Sequence, residues 1–261
     1  MMVKQVRAVI FDLGGTLVDP YSLTPLRALH NAFKKQHIYL THHDINRYMG
    51  LDKKKHIQSL LMDYYRDIYR APAKISNLDK KVEGIHKIFQ EEHSNFITSK
   101  TDILPGAKVL HDLLREKDIK IGITTGYSFQ EAEPIIYTLE EQGFTVDNVV
   151  TSDMVLLGRP YPDMIYENMK AFDIEEMDSS SVIKIDDSLP GIEEGRKAHV
   201  ITIGVAKYSC LVGPVALASD ETDRDVLDTR ITYVKETMRD HYVDYAMDDL
   251  HDVHEFLERV L

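Results

Sequence analysis

Apolar residues along this chain fall into two alternating textures. Short β-branched runs at 6–11, 119–124, 149–151, 182–185 and 200–205 each end on a polar residue or a glycine, as strands buried on both faces do. Helical stretches separate most of them, and Val109, Leu110, Leu113 and Leu114 mark one core-facing helix. Strands alternating with helices predict an α/β fold with a parallel sheet and crossover helices. Between the first two runs, residues 20 to 100 carry no strand signal. Three helical stripes cross that block: Leu26, Leu29 and Phe33; then Ile57, Leu60, Leu61, Tyr64 and Ile68; then Val82, Ile85, Phe89 and Phe96. Thr41 and Asp44 form a helix start of the capping-box kind. The block reads as a helical cap, residues 21–100, inserted after the first strand of a core made of 1–20 and 101–261.

Charge and cysteine content narrow the partners. A net charge of −12 argues against nonspecific nucleic-acid binding and against attraction to an anionic membrane surface. Cys210 is the only cysteine, which excludes an internal disulfide and suits a buried apolar role. With no leader-like start and no apolar run long enough to span a bilayer, the expected compartment is cytoplasmic. The acidic stretch at 220–228 reads as a solvated loop or helix end.

Four pieces of sequence are set to converge at the carboxyl edge of such a sheet, where open α/β folds hold their ligands. Asp12 ends the first apolar run, and Gly14 and Gly15 then allow a tight turn with backbone amides close to an anion. A carboxylate there serves as nucleophile, metal ligand or both. Thr124, Thr125, Gly126 and Tyr127 follow the second run and offer hydroxyls and amides to phosphoryl oxygens. Arg159 sits between Gly158 and Pro160, a stiff base from which a guanidinium reaches an anion or forms a surface ion pair. Asp186 and Asp187 end the fourth run, a pairing suited to Mg²⁺, while Asp187 or Ser188 is placed to cap the helix that follows.

In this order, Asp-x-x-Gly-Thr, a strand-end threonine, a basic residue before proline and Asp-Asp, the chain resembles the haloacid dehalogenase superfamily. The resemblance implies a Rossmann-like core with an inserted cap, Mg²⁺ held at Asp12, Gly14, Asp186 and Asp187, and an aspartyl-phosphate on Asp12. Phosphatases and mutases of that superfamily carry a second aspartate two residues after the nucleophile, to protonate the leaving oxygen. Gly14 stands there instead, and a group of that kind is worth about 10²–10⁴-fold in rate.

The cap segment at 49–56, Met-Gly-Leu-Asp-Lys-Lys-Lys-His, resembles that of the phosphonatases, the phosphonoacetaldehyde hydrolases of this superfamily. Arg159 in place of the usual lysine fits the same family. This resemblance implies that Lys53 forms a Schiff base with a small phosphonate aldehyde, and that Asp12, His56, Tyr127 and Arg159 act with it. It also implies that Met49, Gly50, Thr125, Gly126 and Arg159 bind the substrate, and that the protein is a homodimer. His56 lies three residues beyond Lys53 and shares its helical face, a position from which to shuttle a proton. Lys54, Lys55 and a dry lid are expected to lower the basicity of Lys53, and neighbouring Asp52 to raise it. Leu13, Gly14, Leu17 and Ser22 depart from the phosphonatase pattern of tryptophan, alanine, threonine and cysteine. The alternative reading is a phosphatase or mutase acting on a small phosphate ester.

Overall fold

In the computed structural model, which describes residues 5–69, 77–97, 102–213 and 222–261, the first apolar run becomes β1 (Ala8–Phe11), buried along its whole length. It is joined by β2 (Lys120–Thr125), β3 (Asn148–Thr151), β4 (Val182–Asp186), β5 (Ile201–Val205) and β6 (Tyr245–Met247) in the order β3-β2-β1-β4-β5-β6. Every pairing is parallel. The five expected strands are present. The sixth is three residues long and partly exposed, so it carries no buried run that the sequence pattern could reveal.

Crossover helices cover both faces, as a parallel sheet requires. Val9 and Phe11 enter a core that includes Leu110 and Leu114 of α5 (Ala107–Glu116) and Val253 and Leu257 of α10 (Leu250–Val260). Their neighbours Ala8 and Ile10 point the other way, onto Ile165 and Met169 of α7 (Asp163–Ala171). This is the period-two alternation of a strand. Ile192 of α8 (Leu189–Lys197) packs with Ile231, Val234 and Met238 of α9 (Thr222–Asp240). Of the acidic stretch, Asp220 and Glu221 lie outside the described residues, and positions 224–228 form the solvated start of α9. No helix among the described residues is long and apolar enough to cross a membrane.

Between β1 and α5 the chain forms α1 (Leu23–Lys35), α2 (His42–Asn46), α3 (Lys53–Tyr69) and α4 (Leu78–Ile97). The expected stripes face inward: Leu26, Leu29, Phe33, Ile57, Leu60, Leu61, Val82, Ile85 and Phe89 are buried, with Tyr64 and Phe96 at the margin. The side chain of Ile68 lies outside the described residues. Thr41 caps α2 with the reciprocal bonds of a capping box, its Oγ1 accepting from the Asp44 amide at 3.1 Å. The apolar core of this insert is continuous with that of the sheet, and the turn between α2 and α3 is seated on the carboxyl edge.

Two glycines explain that seat. Gly50, at φ +93°, lies so close to Ser188 that a Cβ would fall 2.4 Å from its Oγ. A Cβ on Gly126, in the loop after β2, would fall 2.6 Å from the carbonyl oxygen of Leu51, a backbone atom unable to yield. Gly126→Ala is therefore expected to leave the core folded but hold the insert off its seat. We expect kcat/KM to fall about 10²-fold with little change in Tm, measured by steady-state kinetics beside a thermal melt.

Candidate active site

Asp12 follows β1 directly, and its amide donates to the carbonyl of Ile185 on β4 at 3.0 Å. That bond places it between Thr124 and Thr125 on β2 and Asp186 at the end of β4, with Asp187 just beyond, where the strand order changes direction. Gly15 turns the chain at φ +81°, and a Cβ there would lie 2.4 Å from the Asp187 carboxylate. The glycine is required by that close approach.

A buried ionic lattice underlies the edge. Arg159, 1% exposed, pairs through Nη1 with Asp12 at 2.8 Å, through Nη2 with Asp186 at 3.2 Å and through Nε with Glu194 at 2.9 Å. Its Nη2 also donates to the carbonyl and hydroxyl oxygens of Thr124. It is thus no surface ion pair. Lys184 of β4 joins the lattice, with Nζ 2.9 Å from Asp186 and 2.8 Å from the Thr124 hydroxyl. Sequence reasoning gave Lys184 no part and, although the family resemblance runs through Glu194, gave that residue no role. The available signal was a lysine inside an otherwise apolar strand, a placement that needs a buried anionic partner.

The two adjacent aspartates differ. Asp186 Oδ1 accepts from the Ser188 amide and hydroxyl at 2.9 and 2.8 Å, and Oδ2 lies against Lys184 and Arg159. Burial would raise its pKa, but Arg159 and then Lys184 hold it below the usual carboxylate value. Asp187 has one weak amide contact, from Cys210 at 3.2 Å. Burial, then Asp12 and Asp186, push its carboxyl well up. Burial and Asp186 likewise raise Asp12, against Arg159 and Lys184. Helix capping falls to Ser188, whose Oγ accepts from the Gly191 amide at 3.3 Å.

The charge pattern suits a divalent cation. Asp12, Asp186 and Asp187 offer oxygens within 4.8 Å of one another. With Glu194 they make four buried carboxylates against two buried cations, Arg159 and Lys184. When all four are ionised two negative charges are left over, the repulsion that raises Asp12 and Asp187, and a hard cation with oxygen ligands matches both the sign and the donors.

Above this edge lies Lys53, the first residue of α3. Of the three consecutive lysines it alone is buried: it is 5% exposed, whereas Lys54 pairs with Glu83 in solvent. Its Nζ stands 5.1 Å from the centroid of the Tyr127 ring. Burial lowers its pKa, against the pull of Glu131, Asp52 and Asp12. The expectation for Asp52 holds in direction. Desolvation lowers the value, with Arg159 assisting; Lys54 and Lys55 are not among the leading causes. Lys53, Asp12, Gly14, Ser22, Met49, Gly50, Thr125, Gly126, Tyr127, Arg159 and Asp187 all line one cavity. The site residues expected from the sequence are gathered there, apart from His56 and Asp186 just behind its wall.

His56 is fully buried, with Nε2 2.8 Å from the Ile45 carbonyl and no hydrogen bond at Nδ1. His93 of α4, which sequence reasoning missed, packs against Tyr127 with ring centroids 4.8 Å apart and planes tilted by 43°. Burial, and then Lys53, drive both histidines down to about 3 from 6.5. The unfolded chain binds these protons more tightly than the folded one. Their contribution to stability is therefore complete above pH 6.5 and lost as pH falls toward 3. By pH 5 each should cost about 2 kcal/mol. Urea unfolding of His93→Phe, which keeps a ring but cannot titrate, should lose less stability between pH 7 and pH 5 than the wild type.

Comparisons with known proteins agree with this geometry. Residues 9–205 match the haloacid dehalogenase-like hydrolase family, and the chain belongs to it. It is 30% identical over 259 residues to a phosphonoacetaldehyde hydrolase of Bacillus cytotoxicus, covering 98% of this chain and 97% of the relative. The phosphonoacetaldehyde hydrolase of Parabacteroides distasonis is 34% identical over 212 residues, 80% of each chain. Among solved structures, a phosphonoacetaldehyde hydrolase-like protein from Oleispira antarctica superposes with a TM-score of 0.86 at 25% identity, covering 100% of this chain and 94% of that one.

Proposed function

We propose that the protein hydrolyses the carbon–phosphorus bond of phosphonoacetaldehyde, giving acetaldehyde and phosphate through an imine on Lys53 and an aspartyl-phosphate on Asp12. The observation that carries this reading is a buried lysine amine in the same cavity as Asp12, in a chain whose position 14 is glycine. A phosphate ester needs a proton donor for its leaving oxygen. A carbon leaving group needs an electron sink, which an amine supplies by condensing with the aldehyde.

The steps balance. Neutral Lys53 adds to the aldehyde carbon, and the adduct takes up one proton from solvent and loses water, forming a protonated imine. An Asp12 oxygen attacks phosphorus, the carbon–phosphorus bond breaks, and its electron pair moves into the iminium to give an enamine. The enamine carbon takes a proton, and water releases acetaldehyde and restores Lys53. A second water attacks the aspartyl-phosphate and frees phosphate. Tyr127 and the seated insert keep bulk water from the imine, and Arg159 fixes the Asp12 carboxylate in position.

Asp12, Asp187 and the carbonyl of Gly14 would hold Mg²⁺, which when bound would supply positive charge to offset that of phosphoryl oxygens. Asp186, with both oxygens engaged, orients the lattice beneath. His56, Met49, Gly50, Thr125 and Gly126 shape the closed cavity. A homodimer in the cytoplasm completes the proposal.

Turnover of synthetic phosphonoacetaldehyde tests it. Equimolar acetaldehyde and phosphate are expected in the presence of Mg²⁺. Phosphate release from small sugar phosphates, with none from the phosphonate, would replace this reading with the phosphatase one.

A further inference from the structure

A buried lysine that becomes an iminium carries a cation into a dry cavity, and a buried cation needs a counter-anion. Asp12 cannot serve throughout, because its own carboxylate charge is lost when it forms the acyl-phosphate link to phosphorus. Asp52 opens α3, its Oδ1 accepting from the Lys55 amide at 3.0 Å, and is only part-buried. Asp186, Asp187 and Glu194 belong to the lattice of Arg159, Lys184 and the cation site. Asp19, which also acts on Tyr127, is held by the Thr24 amide and hydroxyl. Glu131 is the carboxylate that remains.

Glu131 stands in the first turn of α6 (Phe129–Glu141), four residues beyond Tyr127 and 6% exposed. Its Oε2 accepts from the Ser128 amide at 2.8 Å, which pins the side chain. Its Oε1 is buried and makes no hydrogen bond. Across the seam, α4 sets His86 and His93 against α6 and Tyr127. His86 Nε2 lies 3.6 Å from Glu131 Oε1, and His93 packs against the ring that Lys53 faces. Burial lowers the basicity of both histidines and so favours their neutral forms. Lys54 is drawn off by Glu83, and Arg159 by the lattice. Among the described residues, Lys53 is the cation left to balance Glu131, and Glu131 exerts the strongest pull on it.

We propose that Glu131 is the counter-anion of Lys53, balancing its charge across the seam as an ammonium and again as a protonated imine. The second half of that statement rests on the imine reading above. Glu131 touches no reacting atom in this role; it is a positioning residue that acts through Lys53. Because Lys53 comes from the insert and Glu131 from the core, the pair forms only when the insert is seated, and it favours that seat. His86 adds a second dependence: a proton there below neutral pH would compete with Lys53 for Oε1, with Glu83, Asp52 and Lys54 as the other charges around it.

The test is the titration of Lys53 by NMR on protein labelled with ¹³C at the lysine Cε, assigned with Lys53→Arg, and it needs no substrate. Glu131→Gln keeps the acceptor for Ser128 and removes the charge. The Lys53 midpoint should fall by about one pH unit or more, a tenfold loss of proton affinity, while Glu131→Asp stays near wild type. With phosphonoacetaldehyde, the acid limb of kcat/KM should move the same way and kcat should drop, since the imine is then less often protonated. A loss of packing alone would not move that limb. Glu131→Met provides a second charge removal if the glutamine variant does not fold. A Lys53 midpoint unchanged in the folded variant overturns the proposal. Should the wild type fail to cleave the phosphonate, the imine reading falls, and the NMR midpoint still decides whether Glu131 balances Lys53.

Discussion

Replacing Lys53 with arginine should abolish release of acetaldehyde from phosphonoacetaldehyde, with kcat falling at least about 10⁴-fold. Arginine keeps the length and positive charge that pack against Tyr127, but its guanidinium is always protonated and does not condense with an aldehyde. The electron sink is lost and the cation is retained. Simple charge neutralisation of the substrate would survive this change, so the variant separates the two roles. The measurement is coupled detection of acetaldehyde, with Tm recorded beside it. Lys53 is buried, and a guanidinium in its place must find the same counter-charge. A phosphatase acting on an ester would lose far less than this, because nothing in that reaction requires a condensing amine.

Asp12→Asn should be as severe in turnover, again about 10⁴-fold or more, yet spare the first step. Asparagine has the shape of aspartate and cannot displace a carbon from phosphorus. Imine formation draws on Lys53 alone, so this variant should bind the aldehyde covalently and stop there. Borohydride added with substrate should reduce that imine and leave a stable secondary amine on Lys53. The Asp12→Asn enzyme should therefore be labelled efficiently while releasing no phosphate. The Lys53→Arg enzyme should show neither. Removing the charge of Asp12 also takes one partner from Arg159, which retains Asp186 and Glu194, and the fold is expected to hold.

The strand ends were legible because a central parallel strand is a short apolar run, and a polar residue just beyond it has few places to go. Asp12, Thr125 and the Asp186–Asp187 pair all follow from that rule. The helical insert was legible from its stripes. Lys53 could not be told from Lys54 and Lys55 by periodicity. What separates them is the seam, where Tyr127 covers one lysine and leaves the next to solvent. Lys184, Glu194 and Glu131 were hidden for a related reason. Each is a charged residue whose partner comes from a distant segment, and local pattern does not encode that pairing. The strand β6 lacks a buried run, and α10 was passed over although Leu250, Val253 and Leu257 form a regular inward stripe.

The most direct test of the account is reductive trapping. Wild-type protein is treated with phosphonoacetaldehyde and borohydride, digested, and its peptides weighed by mass spectrometry. The account predicts loss of activity together with a two-carbon adduct, an ethyl or phosphonoethyl secondary amine, confined to the peptide that contains Lys53. Normal turnover of the phosphonate with Lys53 unmodified would contradict it.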